Sequence, residues 1–184
     1  MRVITGSARG RRLSAPQGLD VRPTVERVKE GIFSAIQFDI EGRRVLDLFA
    51  GSGQMGIEAL SRGAASAVFV DHSKQALDCV RSNLQAAALM DHATVISGDY
   101  ADYLRTTQEQ FDLVFLDPPY HQQLIGAAMP LVCRRLSEYG IVVCETAVDE
   151  SLPDAIEQLI CHKRYRYGKV SVCIYRPDKG AGLR

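Results

Sequence analysis

From Arg44 onward the chain alternates short, β-rich apolar runs with amphipathic stretches. The runs are VLDLF (45–49), AVFV (67–70), ATVI (93–96), LVFL (113–116) and IVVC (141–144). Each is apolar continuously and not at every second residue, the pattern of strands covered by helices on both faces. Segments 54–62, 74–89, 122–136 and 151–160 are expected to supply those helices. Alternation of this kind predicts a parallel sheet with crossover helices. Ahead of the sheet, Val25, Val28, Ile32, Phe33 and Ile36 recur at helical spacing, and Thr24, following Pro23, can cap that helix. Residues 2–14 alternate apolar and polar types around Gly6 and Gly10, which predicts a short hairpin or irregular arm carrying four arginines and no acid. After residue 160, CHKRYRYGKVSVCIYR places two alternating runs on either side of Gly168, an antiparallel pair that closes the sheet. The expected fold is α/β and doubly wound, a mostly parallel seven-stranded sheet with an antiparallel C-terminal strand. It forms a single domain over 1–184, with a basic arm and helix at 1–40 and the core at 41–184.

Composition narrows the function classes. With 184 residues and 46% hydrophobic side chains, the chain can bury one proper core but leaves no room for a second large domain. No apolar run approaches the roughly 20 residues that span a bilayer, and the N-terminus lacks a signal-peptide core, so a cytoplasmic protein without a membrane partner is expected. Cys79, Cys133, Cys144, Cys161 and Cys173 are scattered without a Cys-x-x-Cys pair, as reduced, buried thiols would be. His72, His92, His121 and His162 likewise lack ligand spacing, so no metal is expected. The net charge of zero hides a pattern: 9 basic and 5 acidic residues in 1–44, 6 and 16 in 45–160, and 7 and 1 in 161–184. Basic ends around an acidic body suggest a polyanion docking on the terminal pieces.

Three motifs carry chemistry. Asp47-Leu-Phe-Ala-Gly51-Ser-Gly53-Gln-Met-Gly56 runs from a strand through a glycine loop into a helix, where the backbone can turn tightly against a ligand. Asp71, 20 residues after Gly51 and ending the next strand, can accept from a ribose hydroxyl pair. Together they specify an adenosine-type cofactor. Asp47, inside the strand, suits the cationic sulfonium and amino-acid portion of S-adenosylmethionine better than a pyrophosphate, and Asp99, after the third strand, can accept from the adenine amine. The deciding motif is Asp117-Pro118-Pro119-Tyr120, directly after the buried strand 111–116. An exocyclic base amine is a poor nucleophile because its lone pair is delocalised into the ring, and acceptors on both amine hydrogens draw the nitrogen toward tetrahedral geometry. Asp117 offers a carboxylate and Pro118 a carbonyl, while Tyr120 can stack on an extruded base. His121 adjoins the turn, but methyl transfer to an amine demands no histidine. Glu145, ending the fifth strand, is expected to anchor neighbouring backbone, and Tyr100, Tyr103, Tyr165 and Tyr167 to pack at sheet edges.

With these residues in view, the chain resembles the RsmD family, bacterial guanine-N2 methyltransferases of 16S rRNA. The resemblance covers nearly the whole chain. It rests on Gly6-Ser-Ala-Arg-Gly-Arg-Arg-Leu13, Arg22-Pro-Thr24 with Arg27-Val-Lys-Glu following, and Asp47 to Gly53; Ile57 to Ala64, Phe111 to Tyr120 and Tyr167-Gly-Lys-Val170 complete it. It implies a class I methyltransferase in which Asp47, Phe49, Ala50, Gly51, Ser52, Gly53 and Asp71 hold S-adenosylmethionine. Asp117, Pro118 and Tyr120 would hold a guanine. Glutamate is commoner in the family where Asp71 stands, and the shorter acid can still reach a ribose. The implied substrate is the assembled or partly assembled 30S subunit, with ribosomal proteins already bound. Arg9, Arg11, Arg12, Arg22, Thr24 and Arg27 become the expected RNA contacts, and Arg2 and Lys29 belong to the same basic set.

Other readings are open to the residues. A DNA adenine or cytosine amino-methyltransferase uses a similar turn but needs a target-recognition domain, for which there is little room. Protein glutamine methylation gives the arginine-rich arm no role, and a nicotinamide-dependent dehydrogenase leaves Asp117 to Tyr120 unexplained. A non-catalytic RNA-binding assembly factor is the binding-protein alternative. The absence of a leftover interface stripe suggests a monomer.

Overall fold

The computed structural model describes residues 1–16 and 24–178. In chain order the elements are α1 (Thr24–Ala35), β1 (Arg44–Asp47), α2 (Gln54–Ser61), β2 (Ser66–Asp71), α3 (Lys74–Ala87), β3 (Ala93–Ser97), α4 (Tyr100–Thr106), β4 (Phe111–Leu116), α5 (Leu124–Cys133), β5 (Leu136–Ala147), β6 (Ala155–Ile156), β7 (Leu159–Tyr167) and β8 (Val170–Pro177). The strands form one sheet in the order β3-β2-β1-β4-β5-β8-β7-β6, parallel from β3 through β5 and antiparallel beyond. Among the described residues no helix is long and apolar enough to cross a membrane.

The continuous apolar runs follow from this layering. One sheet face sends Val45, Phe69, Phe115 and Val143 into a core with Ile32 and Phe33 of α1, Ile57 of α2 and Leu84 of α3. The other sends Leu46, Val68, Val114 and Val142 against Leu104 of α4 and Met129 and Val132 of α5. Adjacent strand residues point to opposite faces, so a strand with a core on each side must be apolar at every position.

Three local expectations change. Residues 100–106 form α4, a helix that the apolar pattern does not announce. Residues 151–160 are not helical: Leu152, Ile156 and Leu159 have helical spacing, but Ile156 pairs with Leu159 across a tight reversal in which Glu157 has φ 52°. The Tyr175 hydroxyl donates to the Pro153 carbonyl at 2.6 Å and Arg164 to the Leu152 carbonyl at 2.9 Å. The neighbouring hairpin thus satisfies the backbone that a helix would otherwise satisfy. The same segment supplies β6, an eighth strand of two residues at the sheet edge.

The arm is a hairpin. Arg2 bridges Arg12, with Val3 N donating to the Arg11 carbonyl and Gly10 N to that of Val3, both at 2.9 Å. It is fastened to α2 by Glu58, a fully buried carboxylate that accepts from Ile4 N (2.8 Å), Thr5 N (3.0 Å) and Arg62 Nε (2.8 Å). Lys29 Nζ lies 3.6 Å from the same carboxylate and donates to the Arg2 carbonyl at 2.7 Å. Burial pushes the Lys29 ammonium below its ordinary pKa, with Glu58 and Glu26 pulling the other way.

Candidate active site

The strand order reverses between β1 and β4, and in open α/β sheets ligands bind at the carboxyl ends of strands beside that reversal. Asp47 ends β1 there. It is buried, and its Oδ2 accepts from Gly56 N at 2.9 Å. Burial lifts its carboxyl pKa from 3.8 to about 7, opposed by the Gly56 amide and helped by the charge of Asp71. Gly51 (φ 54°) and Gly53 (φ 75°) take the left-handed backbone that the turn after β1 requires. A Cβ at Gly56 would overlap the Phe69 ring, so glycine lets α2 lie close on the sheet.

The other cofactor candidates surround this turn. Asp71 accepts from Gly51 N (2.9 Å) through Oδ2 and from Ser73 N (2.8 Å) through Oδ1, so it holds the glycine loop as well as facing it. Ser52 gives its carbonyl to Asn83 Nδ2 at 2.8 Å, and Asn83 also grips Ser14 at both N and O. The arm and the loop thereby share one side chain of α3. Asp99 caps α4, its Oδ1 accepting from Ala101 N and Asp102 N. Phe49 meets the Tyr100 ring at 5.1 Å, which gives Tyr100 a place at the loop rather than at a sheet edge. Gln54, at the start of α2, has a buried Oε1 without a hydrogen-bond partner.

Asp117 follows β4 and is half-buried. No donor among the described residues reaches its carboxylate. Burial first, then the charges of Glu145 and Asp47, push its pKa well above the ordinary value. Pro118, Pro119 and Tyr120 line a cleft of about 510 Å³ with Glu145, Thr146 and the 150–153 loop. Glu145 does not anchor backbone as expected: its Oε1 accepts from the Tyr120 hydroxyl at 2.8 Å. Burial raises the Glu145 pKa, and that hydrogen bond opposes the rise. His121 (φ 62°) and Gln123 (φ 55°) hold left-handed backbone just after the turn, an uncommon conformation for side-chain-bearing residues that clusters at functional sites. Glu150 secures it, accepting from His121 N at 2.9 Å and Ala147 N at 3.3 Å. The sequence carries no signal for Glu150, which lies 29 positions from its partner.

Arg9, Arg11, Arg12 and Arg27 are exposed. Arg22 and the Thr24 side chain lie outside the described residues. Lys29 leaves the basic set, because it is only 1% exposed and is engaged by Glu58 and Arg2. Arg2 pairs with Glu26 at 3.5 Å. Tyr165 and Tyr167 stack at 6.2 Å and pack on the core.

The chain matches known proteins over this whole region. The family described as Conserved hypothetical protein 95 matches residues 1–176. YlbH of Bacillus subtilis, named as a candidate rRNA methyltransferase, is 41% identical over 181 residues, covering 96% of this chain and 98% of that protein. Ribosomal RNA small subunit methyltransferase D of Haemophilus influenzae is 38% identical over 157 residues, 83% of this chain and 81% of that protein. The solved structure of yhhF from Escherichia coli, described as a candidate methyltransferase, superposes with a TM-score of 0.84 at 29% identity, over 97% of this chain and 98% of that one. A glycine loop and an Asp-Pro-Pro-Tyr turn on neighbouring strands, in a chain alike from its first residues to β8, place this protein in the RsmD family.

Proposed function

We propose that this protein is an S-adenosylmethionine-dependent rRNA methyltransferase that transfers a methyl group to the N2 amine of one guanine in 16S rRNA. It acts as a monomer on the assembled or partly assembled 30S subunit. The observation that carries this reading is the Asp117 carboxylate, half-buried beside the β1 loop and engaged by no donor among the described residues. Its accessible oxygens carry no protein donor among the described residues, so one of them is free to accept from a base amine.

The donor set fits the cofactor. Asp47 and the orphaned Gln54 Oε1 are acceptors at the end where a cationic amino-acid portion would lie. Asp71 keeps lone pairs beyond its two amide bonds for a ribose diol, and the Asp99 oxygen not used in capping can accept from the adenine amine. When bound, S-adenosylmethionine supplies an electrophilic methyl group. Asp117 and the Pro118 carbonyl would accept hydrogen bonds from the two amine N–H groups and keep the nitrogen lone pair out of the ring, while Tyr120, tied to Glu145, would offer its face to the base; as the methyl group leaves sulfur for nitrogen, the methylated nitrogen sheds one proton through Asp117 to water. Alignment of nitrogen with methyl carbon can supply roughly 7–11 kcal/mol of the barrier. The catalytic core at 41–184 works with the arm and helix at 1–40 as one domain.

Nucleoside mass spectrometry of small subunits from cells lacking the gene, before and after treatment with the protein and S-adenosylmethionine, tests this directly. One N2-methylguanosine gained at one position is expected; none, with cofactor demonstrably bound, refutes the assignment.

Two further results follow. Because the Asp47 carboxyl titrates near 7 when folded against 3.8 ordinarily, its contribution to apo stability is present at low pH and is lost as pH rises through about 7. A cationic ligand favours the ionised form, so cofactor affinity should rise toward about pH 7 and then level off, and Asp47→Asn should remove that rise in calorimetric titrations. For RNA, replacing Arg11 and Arg12 by alanine should weaken binding broadly and flatten the log–log salt dependence by about one unit for each phosphate the arm no longer holds. An unchanged slope means that the arm does not grip phosphates.

A further inference from the structure

The turn that holds the amine contains one acid, yet a second acid stands beside it. β4 and β5 run parallel with Leu116 opposite Cys144, so Asp117 and Glu145 are the next residues along the two chains, the first just past the end of β4 and the second near the carboxyl end of β5. The two are close enough for the charge of Glu145 to raise the Asp117 pKa. Glu145 lines the same cleft as Pro118 and Tyr120. Its Oε1 is occupied by the Tyr120 hydroxyl, and its Oε2 accepts from no donor among the described residues.

The Watson–Crick edges of the bases answer this pair of acceptors differently. In guanine the exocyclic amine is flanked by N1–H, so two donors stand side by side. In adenine the amine is flanked by N1 and in cytosine by N3, each a bare lone pair. Two neighbouring acceptors complement the first edge and oppose the other two. We propose that Glu145 is the specificity-determining residue of this site, its Oε2 accepting the N1–H of guanine while Asp117 holds the adjacent amine. This rests on the methyl-transfer reading of the cleft and deepens it, because it gives a physical reason for guanine where the Asp-Pro-Pro-Tyr turn alone is equally suited to any base amine. Sites built around a substrate hydrogen bond reject analogues lacking it by about 10⁴–10⁵-fold, since the buried partner is left unpaired.

The experiment uses the full-length protein and small subunits reconstituted with either guanine or 2-aminopurine at the methylated position. 2-Aminopurine keeps the exocyclic amine but presents N1 as an acceptor. The wild-type protein should methylate guanine and be at least about 100-fold slower on 2-aminopurine. Glu145→Gln, whose amide can donate to N1, should narrow that ratio at least about tenfold with cofactor affinity unchanged. Equal wild-type rates on the two bases overturn the assignment, as does a ratio that Glu145→Gln leaves in place. If that variant does not fold, Glu145→Ala, which leaves the guanine N1–H without its acceptor, should narrow the same ratio, and a ratio that it leaves in place overturns the assignment. Failure of the wild-type protein to methylate guanine would instead remove the methyl-transfer reading itself.

Discussion

Asp117→Ala is expected to lower turnover at least about 100-fold while leaving the protein no less stable. The loss follows from geometry. On the proposed methyl-transfer reading, without the carboxylate one amine hydrogen has no acceptor and the nitrogen lone pair stays in the ring, and misplacement of a reacting group alone costs about that factor. The stability half of the result follows from electrostatics. Burial and the neighbouring Glu145 and Asp47 raise the Asp117 pKa, so its contribution to folding is favourable at low pH and is lost as pH rises through the raised value. At neutral pH the fold carries this group at a cost that alanine removes. Single-turnover rates and thermal melts on the same preparation check both halves. A rate within tenfold of wild type would mean that Asp117 does not hold the amine. Full complementation in cells by this variant would favour the non-catalytic assembly-factor reading.

The second large effect concerns the fold and not the chemistry. Glu58→Ala should destabilise the protein by about 3–5 kcal/mol, the usual cost of removing one partner from a buried ion pair. Lys29, 1% exposed, would keep a buried charge without its counter-ion. Ile4 N and Thr5 N would lose their acceptor, and Arg62 its partner. The urea midpoint should fall, and trypsin should cut more readily after Arg9, Arg11 and Arg12 as the hairpin loosens from α2. Adding Lys29→Met to Glu58→Ala should recover part of the loss, because the stranded charge goes with it. A midpoint unchanged by Glu58→Ala would show that water, and not Lys29 and the arm, sets the energy of this carboxylate.

Both effects depend on residues of one type meeting different fates. Asp117 stands out in the sequence as a candidate because Pro118 and Tyr120 are contiguous with it and follow a run of apolar residues. Glu58 could not, because its amide partners lie 54 and 53 positions away and an acid on a helix is ordinarily solvated. Lys29 shows the converse. It counts as one more cation in a basic segment until Glu58 is seen to bury it.

The order of strands and helices from β1 to α3, the two-sided burial of the sheet, the hairpin about Gly168 and the contiguous loop and turn motifs are all legible in the amino-acid order. These are carried by periodicity and by residues adjacent along the chain, so a local reading suffices. Long-range packing, by contrast, makes residues 151–160 reverse into strands instead of coiling. The same packing brings Glu145 to the Tyr120 hydroxyl across 25 positions and Glu150 to the left-handed backbone at His121. In each of these cases one pattern permits two conformations or two partners, and the choice goes to whichever surroundings satisfy the buried polar groups.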